Sequence, residues 1–221
     1  MDAVHRALEL VADGYVIGLG SGRAATVFIQ ALSKRVSEGL CVTGIATSEA
    51  SARLAELLEI PLAAPEEVEA IDIAFDGADE VDPHGDLIKG YGGALIREKI
   101  VAASARRFVV LVGREKLVDV LGRRGRLPVE VTPFGLALAT RRLRALGYPG
   151  TLRLDGGSPT VTDNGNHILD CRTTPIEDPR GLDSEILAIP GVLGTGLFPG
   201  MADTILIGDG DGVEVREMNR G

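Results

Sequence analysis

The chain has 221 residues, 45% of them hydrophobic and 25% charged, and a net charge of −9. That balance is globular, and the length fits one large domain or two small ones. The negative charge argues against nucleic acid or an anionic membrane as partner, and any anionic substrate must be held by local donors.

Aromatic residues are 4% and tryptophan is absent, so the core is expected to be aliphatic. Cys41 and Cys171 lie far apart at no metal-binding spacing. Neither a disulfide framework nor a zinc site is expected, and a reducing cytoplasm fits. MDAVHRALELVADGY at the start carries charges throughout and no cleavage-like segment, so no signal peptide is expected. No apolar run reaches the roughly 18 residues of a membrane helix.

Val4, Leu8 and Val11 recur at helical spacing, and Asp13-Gly14 ends the run. Tyr15-Val16-Ile17 reads as a buried strand. Gly18-Leu19-Gly20-Ser21-Gly22 then leads into a helix over about 23–36, with Ala24, Val27, Phe28, Ala31 and Leu32 on its apolar face. Such a loop offers backbone N–H groups to an anion, although G-x-G-x-G alone is equally a tight turn. Residues 41–46 are a second strand, Thr47 or Ser48 caps a helix over 49–58, and Pro65-Glu66-Glu67 makes a short helical turn. Residues 71–75 form a third strand. After it come Asp76, Asp79, Glu80, Asp82 and Asp86, then Lys89, then Gly90-Tyr91-Gly92-Gly93 and a helix over 94–104. Residues 107–112 are a fourth strand. This alternation predicts an α/β architecture, a Rossmann-like, mostly parallel sheet with helices on both faces. Right-handed crossovers would bring loops 18–22, 46–48 and 76–93, and the segment after Val112, to one edge.

From Leu127 the rhythm changes. Val129-Glu130-Val131 reads as a strand, and Thr132-Pro133 opens a helix to about Leu146. A strand over 151–154 follows. Asp163-Asn164-Gly165-Asn166 is a hairpin turn between Val161-Thr162 and a strand over 167–170. Asp178-Pro179 opens a helix to about Ala188, and another strand follows Pro190. The order β-α-β-β-α-β predicts a smaller ferredoxin-like α+β domain over 127–198. Residues 1–126 and 199–221 make up the Rossmann-like domain. Residues 204–207 return to its sheet, and Asp209-Gly210-Asp211-Gly212 turns into an edge strand over 213–216.

The candidate groups on the loop-bearing edge are Asp76, Asp79, Lys89, Glu98 and Lys116, with glycine-rich backbone at two helix starts. A charge run is usually a solvated loop. Here the carboxylates follow a strand directly, a lysine lies within reach and a glycine turn opens a helix. His5, His84 and His167 lack partners at ligand spacing. Asp76, Asp79 and Asp82 could supply oxygens to a divalent ion, but they match no EF-hand spacing and Lys89 disfavours it. There is no G-x-S-x-G elbow and no GxxxxGK[ST]. Dinucleotide binding is weakly supported, since Ala24 and Ala25 follow Arg23. Carboxylate and lysine chemistry on a small anion remains: one carboxylate removes a proton next to a carbonyl, and a lysine or acid stabilises the enediolate.

DGADEVDPHGDLIKGYGGALIREKIVA at 76–102 resembles the central motif of the A-type ribose-5-phosphate isomerases, close to DGADEVDPxLxLIKGGGGALxREKIVA. The resemblance continues through GLGSGRAATVFI at 18–29, ATSEASARLAELLEIPL at 46–62 and LVGREKLV at 111–118. LPVEV at 127–131, TDNGNHILD at 162–170 and IPGVLGTGLF at 189–198 extend it over essentially the whole chain. It implies interconversion of D-ribose 5-phosphate and D-ribulose 5-phosphate in the non-oxidative pentose phosphate pathway. It implies no metal or organic cofactor, a cytoplasmic location, and a homodimer or homotetramer.

The resemblance makes Glu98 the general base between C1 and C2. Asp76 and Asp79 become the pair that binds sugar hydroxyls and assists ring opening, with Gly77 and Ala78 in the same substrate-binding stretch. Lys89, with the backbone of Gly90, Tyr91 and Gly92, lines the substrate and stabilises the enediolate. Lys116 matches a substrate-binding lysine, and Ser21, Gly22, Arg23 and Ala24 match the first substrate-binding loop. Two positions depart from the family pattern. Its G-T-G-S-T-A loop is Gly20-Ser21-Gly22-Arg23-Ala24-Ala25 here, two hydroxyls fewer and one guanidinium more. Arg23 is expected either to take over phosphate binding, where a planar fork suits phosphate oxygens, or to stand exposed. Tyr91 replaces a glycine, and either stacks over the sugar or points outward. The rival readings are a non-catalytic sugar-phosphate-sensing domain and a CoA transferase-like enzyme.

Overall fold

The structure, a computed structural model, describes residues 3–210 and 212–218. Its first half runs α1 (Ala3–Leu8), β1 (Val16–Leu19), α2 (Gly22–Ser37), β2 (Thr43–Ala46), α3 (Glu49–Leu57), β3 (Ile71–Asp76), β4 (Glu80–Val81), β5 (Leu87–Ile88), α4 (Leu95–Ser104) and β6 (Ala105–Gly113). Its second half runs β7 (Arg126–Val131), α5 (Leu136–Ala145), β8 (Gly150–Leu152), β9 (Leu154–Asp155), β10 (Ser158–Pro159), β11 (His167–Arg172), α6 (Pro179–Leu187), β12 (Val192–Thr195), β13 (Leu197–Phe198), β14 (Thr204–Gly208) and β15 (Val213–Glu217). The chain divides into two units. The first comprises Met1–Ala78, Arg97–Lys116 and Gly200–Gly221, the second Asp79–Ile96 and Leu117–Pro199.

The first unit holds a six-stranded sheet in the order β15-β14-β6-β3-β1-β2. All neighbours are parallel except β15, the antiparallel edge. The chain winds from β1 to β2 on one side and then to β3 on the other. The carboxyl ends of β1 and β3 therefore flank a topological switch point, where open α/β sheets bind ligands. Side chains alternate between faces along β1. Ile17 and Leu19 enter a buried cluster with Ala7, Phe28, Leu32 and Ala55 from the three N-terminal helices. Gly18 faces α4, and a Cβ there would lie 2.5 Å from Cγ1 of Val101. Helices thus cover both faces, as the alternating pattern predicts.

Helix α2 buries Ala25, Phe28, Ile29 and Leu32, a stripe at helical spacing. The Phe28 and Phe75 rings stack with centroids 4.2 Å apart. The buried face is turned from the expected one: Ala25 and Ile29 are inside, whereas Val27 is 45% exposed. Phe28 and Leu32 fix the centre of the stripe, and Ile29 buries more apolar area beside them than Ala24 could.

The second unit contains a four-stranded antiparallel sheet in the order β12-β7-β11-β8. With α5 and α6 it completes the βαββαβ pattern of a ferredoxin-like fold. Val129, Val131, Leu169 and Cys171 pack with Ala139 and Leu143 of α5 and Leu182 and Ile186 of α6. Thr132 accepts a hydrogen bond from Gly135 N and Asp178 one from Gly181 N, so both expected N-caps form.

Two local expectations need correction. Residues 76–93 are not one loop: β4 and β5 pair there, and β13 pairs with β5 through Leu197–Ile88 and Phe198–Leu87. Val161-Thr162 forms no strand, because the Asn-Gly turn closes on itself through Thr162 N to Asn166 O and Gly165 N to Thr162 O. The short hairpin lies earlier, at β9 and β10 around Gly156-Gly157. Asp211, in the turn before β15, lies outside the described residues. Among the described residues no helix is long and apolar enough to cross a membrane.

Candidate active site

In the first unit the site side chains gather at the carboxyl ends of the parallel strands. Gly20 donates its N–H to Phe75 O, tying the end of β1 to β3. A Cβ at Gly20 would lie 2.3 Å from Cγ of Asp76, so only glycine lets that carboxyl group lie across the switch point. Asp76 is 3% exposed. Its Oδ1 accepts hydrogen bonds from Ser21 N at 3.0 Å and Gly77 N at 2.7 Å, which orient the carboxylate. Ser21 stands at the N-cap of α2 but its side chain does not cap the helix. Its hydroxyl lies 2.7 Å from the Thr47 hydroxyl at the end of β2. Ser51 reaches from α3 to Gly20 O at 2.6 Å. Three strand ends are therefore joined by short polar contacts, while the N–H groups of the first turn of α2 receive no side-chain cap. Such a turn attracts anions.

Gly22 has φ +76°, a left-handed value suited to glycine. Arg23 is exposed and Ala24 half-buried. Gly77 lies against Ala24, with 3.4 Å from its built Cβ position to the Ala24 Cβ, and Ala78 is half-buried. Lys116 closes the 3-10 turn Arg114–Lys116 just past β6 and is half-buried. Glu98 sits in the first turn of α4 and is 5% exposed. Because β3 and β6 are parallel, α4 runs back against them with its first turn at the carboxyl edge. Val101, one turn further along the same helix face, is the residue that packs on Gly18. Of the expected gathering of loops 18–22, 46–48 and 76–93 and the segment after Val112, this unit holds the first two, residues 76–78 of the third, and the last as far as Lys116, all at the carboxyl ends of its parallel strands.

The second unit carries the remaining candidates. Asp79 N donates to Ile88 O at 2.8 Å, and Lys89 N donates to Gly196 O at 2.8 Å, which fixes Lys89 between two strands. Lys89 is 3% exposed, with Nζ 5.6 Å from the Phe198 ring centroid, a cation–π placement. Gly90 then turns the chain with φ +95°, and a Cβ there would meet Leu95 at 2.7 Å. Gly93 N closes the turn onto Gly90 O, and Gly92 is exposed. Tyr91 donates its backbone N–H to Oδ2 of Asp79 at 2.9 Å. Its hydroxyl donates to Arg126 O at 3.1 Å, and its ring lies 4.7 Å from the Arg126 guanidinium carbon. Burial, helped by the charges of Glu80 and Asp79, pushes the phenol up to about 12. The Tyr91 ring packs against Arg126 of its own unit, and its backbone orients Asp79.

Asp82 is not a site carboxylate. Its Oδ1 accepts from His84 N and Asp86 N at 2.9 Å each and shapes the turn between β4 and β5. Burial raises its pKa above the usual carboxylate value. Among the described residues no three His, Cys, Asp or Glu side chains are grouped as a metal site needs. Arg153 and Asp170 were not singled out by the sequence, and Glu80 stood out only as one of an acidic run. Their partners lie tens of residues away, and no local spacing announces them.

Comparison with known proteins gives a consistent result. The family model for ribose 5-phosphate isomerase A (phosphoriboisomerase A) matches residues 43–212. Ribose-5-phosphate isomerase A of Roseiflexus castenholzii is 51% identical over 214 residues, covering 96% of this chain and 92% of that protein. The protein of the same name from Gloeobacter violaceus is 49% identical over 215 residues, covering 96% and 93%. Among solved structures, ribose 5-phosphate isomerase A from Methanocaldococcus jannaschii aligns with a TM-score of 0.93 at 42% identity, covering 98% of this chain and 96% of that one. A D-ribose-5-phosphate isomerase in complex with phospho-erythronic acid aligns with a TM-score of 0.94 at 39% identity, covering 97% and 96%.

Proposed function

This chain belongs to the ribose 5-phosphate isomerase A family, and from that premise we infer how it interconverts D-ribose 5-phosphate and D-ribulose 5-phosphate. The sugar opens to its linear aldehyde. A base takes the proton from C2, the electron pair forms a C1–C2 double bond, and the carbonyl oxygen gains the enediolate charge. Return of the proton to C1, with transfer of the hydroxyl proton from O2 to O1, gives the ketose.

Glu98 is the base. The observation that carries this assignment is its position, a buried carboxylate in the first turn of α4 at the carboxyl edge of the sheet. Lys89 stabilises the enediolate oxygen, since an ammonium held in a buried place acts more strongly than one in water. Asp76 and Asp79 bind the sugar hydroxyls. Each has one oxygen already oriented by backbone N–H groups, from Ser21 and Gly77 for Asp76 and from Tyr91 for Asp79. The phosphate goes to the uncapped start of α2, with Arg23 and Lys116 as its cations. The hydroxyl contact between Ser21 and Thr47 supports this, because it leaves the first-turn N–H groups to the anion.

The reading includes a place in the non-oxidative pentose phosphate pathway and a reducing cytoplasm. Two unpaired cysteines, Cys41 exposed and Cys171 buried, support the latter. It also includes a homodimer or homotetramer, supported by Phe134, which stands fully exposed on the second unit. The relatives named above are enzymes of one activity, so the sensing-domain alternative is not favoured.

A coupled isomerase assay with Glu98→Gln tests the proposal. The wild type turns over D-ribose 5-phosphate, and the variant loses about 10²–10⁴-fold in kcat. No wild-type turnover, or a variant as fast as the wild type, would overturn it.

A further inference from the structure

Asp170 lies on β11, between β7 and β8, and its side chain is 20% exposed. Two arginine forks close on it. Arg126 places Nε 2.9 Å from Oδ1 and Nη2 2.9 Å from Oδ2. Arg153 places Nε 2.9 Å from Oδ2 and Nη2 2.5 Å from Oδ1. Each is a bidentate, charge-assisted pair, the strongest class of side-chain hydrogen bond. Burial works to raise the Asp170 carboxyl, but the hydrogen bonds and charges of Arg153 and Arg126 outweigh it and hold the group below the usual carboxylate range.

The arginines do more than bridge strands. Arg153 donates Nη1 to Gly90 O at 3.2 Å and Tyr91 O at 3.1 Å. Arg126 lies over the Tyr91 ring and accepts the Tyr91 hydroxyl proton on its carbonyl. Tyr91 N in turn holds Asp79. The glycine loop after Lys89 is therefore gripped at two carbonyls and one ring by guanidinium groups that Asp170 pairs, while the Tyr91 hydroxyl rests on the main chain of Arg126.

We propose that Asp170 is a positioning residue for the isomerisation: by pairing with Arg126 and Arg153 together, it sets the place of the loop that carries Lys89 and orients Asp79. The inference rests on the roles given to Lys89 and Asp79 above. A bridge that served the sheet alone would not direct Arg153 donors to the loop carbonyls. Without Asp170 two guanidinium groups face each other unbalanced, and both forks lose the partner that fixes their planes. A loop shifted by about 1 Å costs on the order of a hundredfold in rate.

The test combines steady-state kinetics on D-ribose 5-phosphate with amide hydrogen exchange of the intact chain. In Asp170→Asn, kcat falls by about tenfold or more while KM moves less than about threefold. Exchange quickens over residues 88–95 and stays as in the wild type in β1, β3 and β6. Arg153→Lys keeps the charge but lacks the fork, and behaves in the same direction. Unchanged kcat in a folded Asp170→Asn overturns the proposal, as does faster exchange spread over the whole chain. If Asp170→Asn does not fold, Arg153→Lys decides. Slow turnover with a loosened loop supports positioning. Full turnover, or failure of that variant to fold as well, makes the network structural and overturns it. Wild-type activity in the same assay separates the two levels: its absence sinks the isomerase reading, whereas its presence beside an unaffected Asp170→Asn sinks only the network.

Discussion

Arg23 stands exposed in the first turn of α2, beside N–H groups that no side chain caps. A charged hydrogen bond there is worth about 1.5–3 kcal/mol, or about tenfold to a hundredfold in affinity. Arg23→Ala is therefore expected to raise KM for D-ribose 5-phosphate by about tenfold or more with kcat little changed. Steady-state kinetics checks it, and an unchanged KM would leave Arg23 a plain surface residue. Individual site residues differ in how far their neighbourhoods can be read along the chain. Asp76 and Ser21 were legible because a strand end, a glycine loop and a helix start each leave a local mark. Tyr91 was not. Its place depends on Arg126 and on a ring–guanidinium contact, and nothing near residue 91 announces either.

At the scale of elements, Glu80 shows what short strands need. It is fully buried, and its two oxygens accept from Gly122 N and Arg124 N at 2.7 Å each. Val118 N donates to Val81 O beside it. A two-residue strand cannot hold itself, so the β4–β5 pair draws on β13 and on the 117–126 segment. Glu80→Ala leaves two N–H groups without their acceptor and is expected to cost about 3 kcal/mol or more. The midpoint of urea unfolding measures it, and a loss under about 1 kcal/mol would contradict the anchoring role. Helices and long strands were readable from their periodicity. The β4–β5 hairpin was not, because two residues carry no period and its partner β13 lies over a hundred positions away in the chain. The apolar face of α2 was read one position off, since Val27 and Ile29 look alike in composition and only packing chooses between them.

At the scale of the molecule, both architectures follow from the order of elements: alternating strands and helices gave the parallel sheet, and βαββαβ gave the ferredoxin-like unit. The division between units leaves a compositional trace at only one of its four crossings. It passes through the central motif at Ala78–Asp79 and Ile96–Arg97 and then at Lys116–Leu117, where neither residue is glycine or proline, and only the last crossing, Pro199–Gly200, carries both. Each unit instead follows long-range hydrogen bonds: Asp76 to Ser21 in one, Asp79 to Tyr91 in the other. The assignment of Glu98 as the group that moves the proton is tested most directly by isotope exchange. With D-ribose 5-phosphate in heavy water, NMR follows deuterium entering the carbon-bound positions at C1 and C2, and calorimetric titration with D-ribose 5-phosphate reports binding. The wild type is expected to exchange, and Glu98→Gln to bind as well yet exchange at least about a hundredfold more slowly. Exchange at the wild-type rate in Glu98→Gln would contradict the account.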